Sequence, residues 1–442
     1  MTDARALTWL GLLPACASLT TVGGPAWFRE LLASRGAGGQ AAILVASDCR
    51  RSELPDLEPF AGLVAVNCRQ VSGRALQDAG FTYVRAFAVL PSLADARWFV
   101  PLDTPATSAA AFRLYSPFRP LARLKHLGVR TVARGGLPLW YRDRVLIAQR
   151  SLPPVERMLN SLFPGGTLRL ALASGAPGPA RKPTALVLNG DGQPLAFAKL
   201  SSTALAKRLV LHEAEVLRAL ASMPGPTPFA PQLLFAGEVD QLVVTVQSAL
   251  PGRPAPRRLT PAHRALLAGL GAGPIKPASS TAIVTSLRHR TASLPSPRPD
   301  LCTLLDTVMP RLEAMTLPTA VVHGDFAPWN LRTHGGGGAA FDWEYAQLNG
   351  LPLLDEMHHQ LQVGFLLDGW TADRADDRLL AFASARPLGL RPDQVRALQV
   401  VYLLDALLRR IEEGHTADEF LSARYEHLMR RLALMMHQEA AA

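Results

Sequence analysis

The hydrophobic period of this chain changes once, near residue 255, and that change limits the folds open to it. Before it the pattern is strand-like. "LRLALASG" (168–175) reads as a strand, and "TALVLNGDGQPLAFAKL" (184–200) as a hairpin whose apolar arms flank Asn189-Gly190 and Asp191-Gly192. "AKRLVLHEAEVLRALASM" (206–223) has leucines at helical spacing, and "APQLLFAGEVDQLVVTVQSALPG" (230–252) is a second strand pair ending at Pro-Gly. After it, "VRALQVVYLLDALLRRIEEG" and "EFLSARYEHLMRRLALMMH" carry the helical pattern on toward the C-terminus. Residues 272–299, rich in Pro, Ser, Thr and Arg, are expected to be a mobile loop. The result is an α+β chain, an antiparallel-sheet lobe followed by a helical one.

Upstream, "QAAILVAS" (40–47), "GLVAVNC" (62–68), "FTYVRAFAVL" (81–90) and "RWFVPL" (97–102) read as strands of a small mixed α/β domain. "LPPVERMLNSLFP" (152–164) is a short helix at a junction. With 442 residues the chain is too long for one ordinary core. The expected division is an N-terminal accessory domain (1–150), an antiparallel lobe (151–252) and a helical lobe (253–442). Four scattered cysteines without CxxC spacing argue against a zinc or disulfide framework and read as buried thiols in a reducing compartment. The N-terminal apolar run is broken by Pro14 and preceded by Asp3, so a leader peptide is not the preferred reading. No stretch reaches the ~20 apolar residues of a membrane span. The chain reads as soluble and cytoplasmic.

The net charge of +10 is unevenly spread. Residues 1–150 hold 18 Lys+Arg against 10 Asp+Glu, whereas 351–442 hold 10 against 14. Between Arg113 and Arg150 stand nine Lys and Arg residues and one acid, Asp143, with Phe112, Tyr115, Phe118 and Leu121 at three-residue spacing. One reading is a peripheral contact with membrane or anionic glycan through 111–150. The plainer and preferred one is a helix packing its aromatic side on a neighbour. Arginines interleaved with apolar stretches, and no nucleic-acid motif, argue against a nucleic-acid partner.

"VVHGDFAPWN" (321–330) sets His323, Asp325 and Asn330 directly after a short apolar strand, and "LRTHGGGGAAFDWE" then reads as a hairpin turning at glycines 335–338 and ending at Asp342. A carboxylate, an amide and a second carboxylate are hard oxygen donors that suit Mg²⁺, which completes its shell with phosphate and water. Lys199 is the one charge at the end of an apolar hairpin arm, either snorkelling or aimed at an anion. Glu213 or Glu215 on the next helix would pair with it. These are the parts of phosphoryl transfer.

"HGDFAPWN" followed by "FDWE" resembles the aminoglycoside phosphotransferase / choline kinase family, relatives of protein kinases, over roughly residues 165–440. The resemblance implies a protein-kinase-like two-lobed fold, an antiparallel-sheet N-lobe and a helical C-lobe, with ATP and Mg²⁺ as cofactors. It implies that Asp325 orients the acceptor hydroxyl and takes its proton, that Asn330 and Asp342 bind Mg²⁺, and that His323 braces the loop. Lys199, held by Glu213 of "EAEVLRAL", would meet the α/β-phosphates. Asp355 of "GLPLLDE" would tie down the catalytic loop, and the backbone of Val246, Gln247 and Ser248 would meet adenine. The loop "ASGAPGPARKP" lacks GxGxxG; Ser174, Gly175 and Gly178 would offer backbone N–H groups there, with charge from Arg181 or Lys182. Trp343 and Glu344 after the metal Asp point to the small-molecule branch of the family. Trp329 is read as packing. His358 and His359, adjacent on a helix, point apart and make a poor ligand pair.

For the acceptor, Asp355, Glu356, Asp405, Glu412 and Glu413 could line a cation pocket, as an aminoglycoside or choline would need. The basic first domain fits a sugar, glycan or glycolipid hydroxyl better, so the acceptor expected is a small molecule or glycan. A pseudokinase-like binding module is the competing class.

Overall fold

The computed structural model describes residues 16–23, 41–136, 141–175, 178–223, 229–271, 273–294, 296–384, 390–416 and 419–441. Most of the N-terminal apolar run lies outside them. The chain forms two compact units, one of residues 1–211 and 233–249, the other of 212–232 and 250–442.

The first unit is built on one sheet of eleven strands: β1 (Cys16–Gly23), β2 (Ala41–Ser47), β3 (Gly62–Val66), β4 (Tyr83–Ser92), β5 (Asp95–Pro101), β6 (Asp143–Gln149), β7 (Arg169–Ala173), β8 (Thr184–Leu188), β9 (Pro194–Ser201), β10 (Leu233–Val239) and β11 (Leu242–Ser248). Their order is β1-β2-β3-β6-β4-β5-β7-β8-β9-β11-β10. β1 to β3 are parallel and every other neighbour is antiparallel. The antiparallel lobe expected from the hairpin turns is β7 to β11. The expected boundary at residue 150 is no break in the sheet, because Trp98 pairs with Ala173 and Phe99 with Leu172. β1 and the interior strand β6 were not foreseen.

Period-two alternation divides the apolar residues between two faces. Ile43 and Val45 share one core with Val145, Ile147, Leu170 and Leu172, while Leu44 and Ala46 share another with Leu63, Leu146 and Leu76. The junction helix Pro154–Leu162 is a core element: Val155 and Leu159 pack into the first of these cores. It also buries Glu156, whose carboxylate accepts from the Tyr83 hydroxyl and pairs with Arg85 at 3.3 Å. Burial pushes the Glu156 carboxyl up, against the pull of Arg85 and Tyr83. Cys49 and Cys68 are free thiols with their sulfurs 3.0 Å apart, and burial pushes the Cys49 thiol up to about 12.

The second unit is mainly helical. The helix Pro392–Glu412 is its axis, with nearly every residue from Gln394 to Leu408 buried. The helices Pro299–Glu313, Ala282–Ala292, Leu354–Leu366 and Phe420–Ala441 contribute to the same core. The mobile loop expected at 272–299 is instead ordered through most of its length. Ile275–Pro277 pairs with Thr316–Pro318, and Ala282–Ala292 is a helix burying Ile283, Val284, Leu287 and Thr291. Those four lie at helical spacing, but the Ser, Thr and Arg residues between them hide the stripe. No helix of the described residues is long and apolar enough to cross a membrane.

Arg85→Ala would leave Glu156 buried without its cation. It is expected to lower stability by about 3–5 kcal/mol, measured by urea unfolding. An unchanged midpoint would show that the pair contributes nothing to the sheet's core.

Candidate active site

The strand Ala320–Val322 leads into the loop that carries His323, Asp325 and Asn330. The Asp355 carboxylate fixes the turn: it accepts the backbone N–H of His323 at 2.7 Å and of Gly324 at 2.9 Å. Gly324 has φ 81°, and a Cβ there would lie 2.4 Å from the Tyr345 carbonyl oxygen, so only glycine fits. Asp355 reaches the loop from the first turn of the helix Leu354–Leu366, which opens at Leu353 in the left-handed region, φ 71°. Burial pushes the Asp355 carboxyl up to about 7, although the two N–H donors favour its ionised form.

His323 is fully buried and braces the loop. Its Nε2–H donates to the Phe341 carbonyl at 3.0 Å, and its Nδ1 accepts the Asp325 backbone N–H at 3.2 Å. A backbone N–H can only donate, which fixes the Nε2–H tautomer. Burial holds this imidazole down to about 4, against the upward pull of Asp325 and Asp342.

Both oxygens of Asp325 are held. The Asn330 amide Nδ2 donates to Oδ2 at 2.8 Å and to the Asp325 carbonyl at 3.0 Å. That spends the Asn330 amide nitrogen and leaves Oδ1 as its oxygen donor. The other carboxylate oxygen, Oδ1, lies 2.7 Å from His358 Nε2. Tyr402 lies 3.1 Å from His358 Nδ1, and a carboxylate oxygen can only accept a hydrogen bond. Nε2 of His358 therefore carries the proton directed at Asp325. The sequence did not assign His358 this contact. The signal was available: His358 stands three residues after Asp355 on one helix, so both face the loop. Arg409 was also unforeseen; it donates to the Gly324 carbonyl at 2.8 Å and pairs with Asp405 at 2.8 Å.

The expected hairpin forms between Leu331–His334 and Gly337–Ala340, turning at Gly335 and Gly336, with φ 55° and 80°. It delivers Asp342 in the left-handed region, φ 72°, a costly conformation for a residue with a side chain. Phe341 N–H donates to the Asn330 carbonyl at 3.0 Å, which ties the backbones beside the two expected metal ligands. Trp343 is fully buried and its backbone N–H donates to the Glu213 carboxylate at 3.0 Å. Trp329 is half-buried. His358 and His359 diverge as expected: His359 is buried, and neither ring nitrogen has a hydrogen-bond partner among the described residues.

In the first unit, Lys199 is buried on β9 opposite Thr184 and Thr245. Ser174 and Gly175 follow β7, with Gly175 at φ 76° and Gly178 at φ 132°. Arg181 donates to the Ser174 carbonyl at 2.7 Å and to its hydroxyl at 2.9 Å, crossing the loop that was expected to hold phosphate. Val246 and Gln247 pair with strands on both sides, and Ser248 pairs with Ala196.

Residues 276–388 match the model of the phosphotransferase enzyme family, APH. No curated protein matches the sequence. Similar solved structures include the aminoglycoside phosphotransferase APH(4)-Ia, 16% identical, covering 63% of this chain and 97% of its own, with a TM-score of 0.46. A macrolide 2'-phosphotransferase type I is 16% identical, covering 62% and 96%, with a TM-score of 0.39. A choline/ethanolamine kinase family protein from Mesorhizobium loti is 15% identical, covering 63% and 90%, with a TM-score of 0.38.

Replacing His358 by Phe removes the donor to Asp325 and frees its carboxylate to rotate. Turnover is expected to fall by about tenfold to a hundredfold with the nucleotide KM little changed; an equal rise in KM at constant kcat would assign His358 to binding instead. A second prediction concerns acid. Burial, then His358 and His263, pushes His359 down to about 3. Between pH about 6.5 and 3 the unfolded chain binds a proton there that the folded chain refuses, so stability falls with pH by about 1.4 kcal/mol per unit. His323 acts the same way down to about 4, and Asp355, pushed up to about 7, acts oppositely. His359→Leu is expected to match the wild type near neutrality and to exceed it by about 2–3 kcal/mol near pH 4.5. Parallel stability curves for the two proteins would refute this.

Proposed function

We propose that this protein is an ATP-dependent phosphotransferase of the aminoglycoside phosphotransferase and choline kinase type, acting on a hydroxyl of a sugar, glycan or glycolipid. The observation that carries the reading is the Asp325 carboxylate, held at one oxygen by Asn330 and at the other by His358. A carboxylate fixed in this way orients a hydroxyl and receives its proton as the γ-phosphate is transferred.

Asn330 Oδ1 and Asp342 are the hard oxygen donors that would hold Mg²⁺. The bound ion with ATP would neutralise charge on the phosphates. Glu213 would hold Lys199 toward the α/β-phosphates. The Ser174 N–H, expected to meet phosphate, donates to the Arg97 carbonyl at 2.9 Å, so Gly175 and Gly178 would offer N–H groups there, with the Arg181 guanidinium adding charge beside Ser174. Val246, Gln247 and Ser248 would carry the adenine contact.

The acids of the helical unit bear on the acceptor. Asp405 pairs with Arg290 at 2.6 Å and with Arg409, and Glu412 pairs with Arg290 at 2.8 Å. Glu413 accepts from the Tyr345 hydroxyl, and Asp355 is spent on the loop. Asp355, Asp405, Glu412 and Glu413, all considered for a cation pocket, are thus committed to internal partners. That supports a neutral or anionic acceptor over an aminoglycoside- or choline-type cation.

The test is ATP consumption with Mg²⁺ over a panel of sugars, glycolipids, aminoglycosides and choline. Turnover is expected with a sugar or glycolipid, and Asp325→Ala or Asp342→Ala should lower it by about a thousandfold with the circular dichroism unchanged. A wild-type protein that neither binds nor consumes Mg·ATP would be a binding module, and the reading would fail.

A further inference from the structure

The helix Pro120–Arg134 sits in the first unit with its apolar side facing outward. The preferred reading of its sequence had its aromatic side packed on a neighbour and its arginines in solvent. It packs on the helix Pro105–Ala111, but the residues it turns inward are small or polar. Ala133 is buried, Ala122 and His126 are half-buried, and His126 Nε2 contacts the Phe112 carbonyl at 2.8 Å. Of the aromatic residues expected to anchor this helix, Phe112 and Tyr115 do meet its inner side, edge-on to His126, though Tyr115 stays exposed.

The leucines do not. Leu121 is 65% exposed, Leu124 67% and Leu127 60%. Leu121, Leu124, Gly128 and Val132 follow one another at three- and four-residue steps, so they form one outward stripe that Leu127 widens. On a globular surface single exposed leucines need no explanation, but a helix that turns its apolar stripe away from its own protein does.

Charge identifies the occupant. From Thr104 to Arg142 there is no Asp or Glu, and the helix and its flanks carry Arg113, Arg119, Arg123, Lys125, Arg130 and Arg134. Burial, then Arg130 and Arg134, pushes the Arg113 guanidinium below its ordinary range, as expected for cations crowded without a counter-ion. Leucines on an outward face bordered by Lys and Arg, without an acid, match an interfacial helix: the apolar face enters the acyl boundary while the cations meet anionic headgroups. A nucleic acid would have no use for the leucines, and a second copy would bring the same positive charge against itself.

We propose that the helix Pro120–Arg134 docks this protein on an anionic lipid surface. The docking stands on the helix's own geometry and not on the phosphotransferase reading. It is also what an acceptor embedded in a membrane would require.

The test uses the full-length protein with two vesicle types, phosphatidylcholine alone and phosphatidylcholine with roughly one third phosphatidylglycerol. Two variants enter, Leu121→Asp/Leu124→Asp and Lys125→Glu/Arg134→Glu, all at exposed positions. The expected result is co-sedimentation of wild type with the anionic vesicles only, weakened by about tenfold or more in either variant, with circular dichroism and ATP turnover on a soluble acceptor unchanged. Three results would overturn the proposal. The wild type fails to bind anionic vesicles; or binding survives the leucine changes and falls only with the charge changes, which marks a general polyanion site; or the leucine changes dissolve a wild-type dimer without affecting lipid binding, which assigns the stripe to a second copy.

Discussion

The loop that carries Asp325 owes its shape to one buried carboxylate. Asp355 accepts two consecutive backbone N–H groups, from His323 and Gly324. Two donors on one carboxylate fix the direction of the chain as it leaves the strand Ala320–Val322. Everything downstream is set from there: His323 beneath the loop, Asp325 at its crest, Asn330 folded back on Asp325. Arg409 completes the frame by donating to the Gly324 carbonyl from the axial helix. A turn with its N–H groups, its carbonyl and its side chains all engaged has little freedom left, and positional precision is what phosphoryl transfer asks of a protein.

The same unit keeps its charges close to home. Arg290 and Arg409 both pair with Asp405, and Arg290 extends the network to Glu412. Such buried pairs cost desolvation and add modest net stability, but they consume acids that would otherwise face an acceptor. The acidic surplus of residues 351–442 is therefore partly spent on internal pairs. Net charge is a statement about the chain; which charges remain available is a statement about the fold.

The sequence revealed what is local. The H-x-D-x-x-x-x-N spacing, the Asp342 that follows a glycine turn, and the hairpins of β7 to β11 are encoded within short windows, so residue type and spacing suffice to find them. The role of Asp355 followed from the family resemblance. What was hidden depends on tertiary placement. His358 was weighed as a metal ligand paired with His359; its contact with Asp325 appears only once the helix is set against the loop. The helix Ala282–Ala292 was obscured by its polar residues. The continuity of the sheet rests on two residue pairs, Trp98–Ala173 and Phe99–Leu172, separated by some seventy positions, and no local pattern announces them. The orientation of Leu121 and Leu124 was hidden for the opposite reason, because an amphipathic helix states that it has an apolar face and not where that face points.

That shared sheet bears on where the chain can be cut. β7 is bordered by β5 on one side and β8 on the other, and both Leu170 and Leu172 rest on a core completed by Ile43, Val145 and Ile147. A fragment starting after residue 150 would carry β7 as a bare apolar edge with half its floor removed, the geometry that invites chains to add onto one another. Strands β1 to β6 thus act as the selvedge of the sheet, and the strands beyond them depend on it to cover that edge.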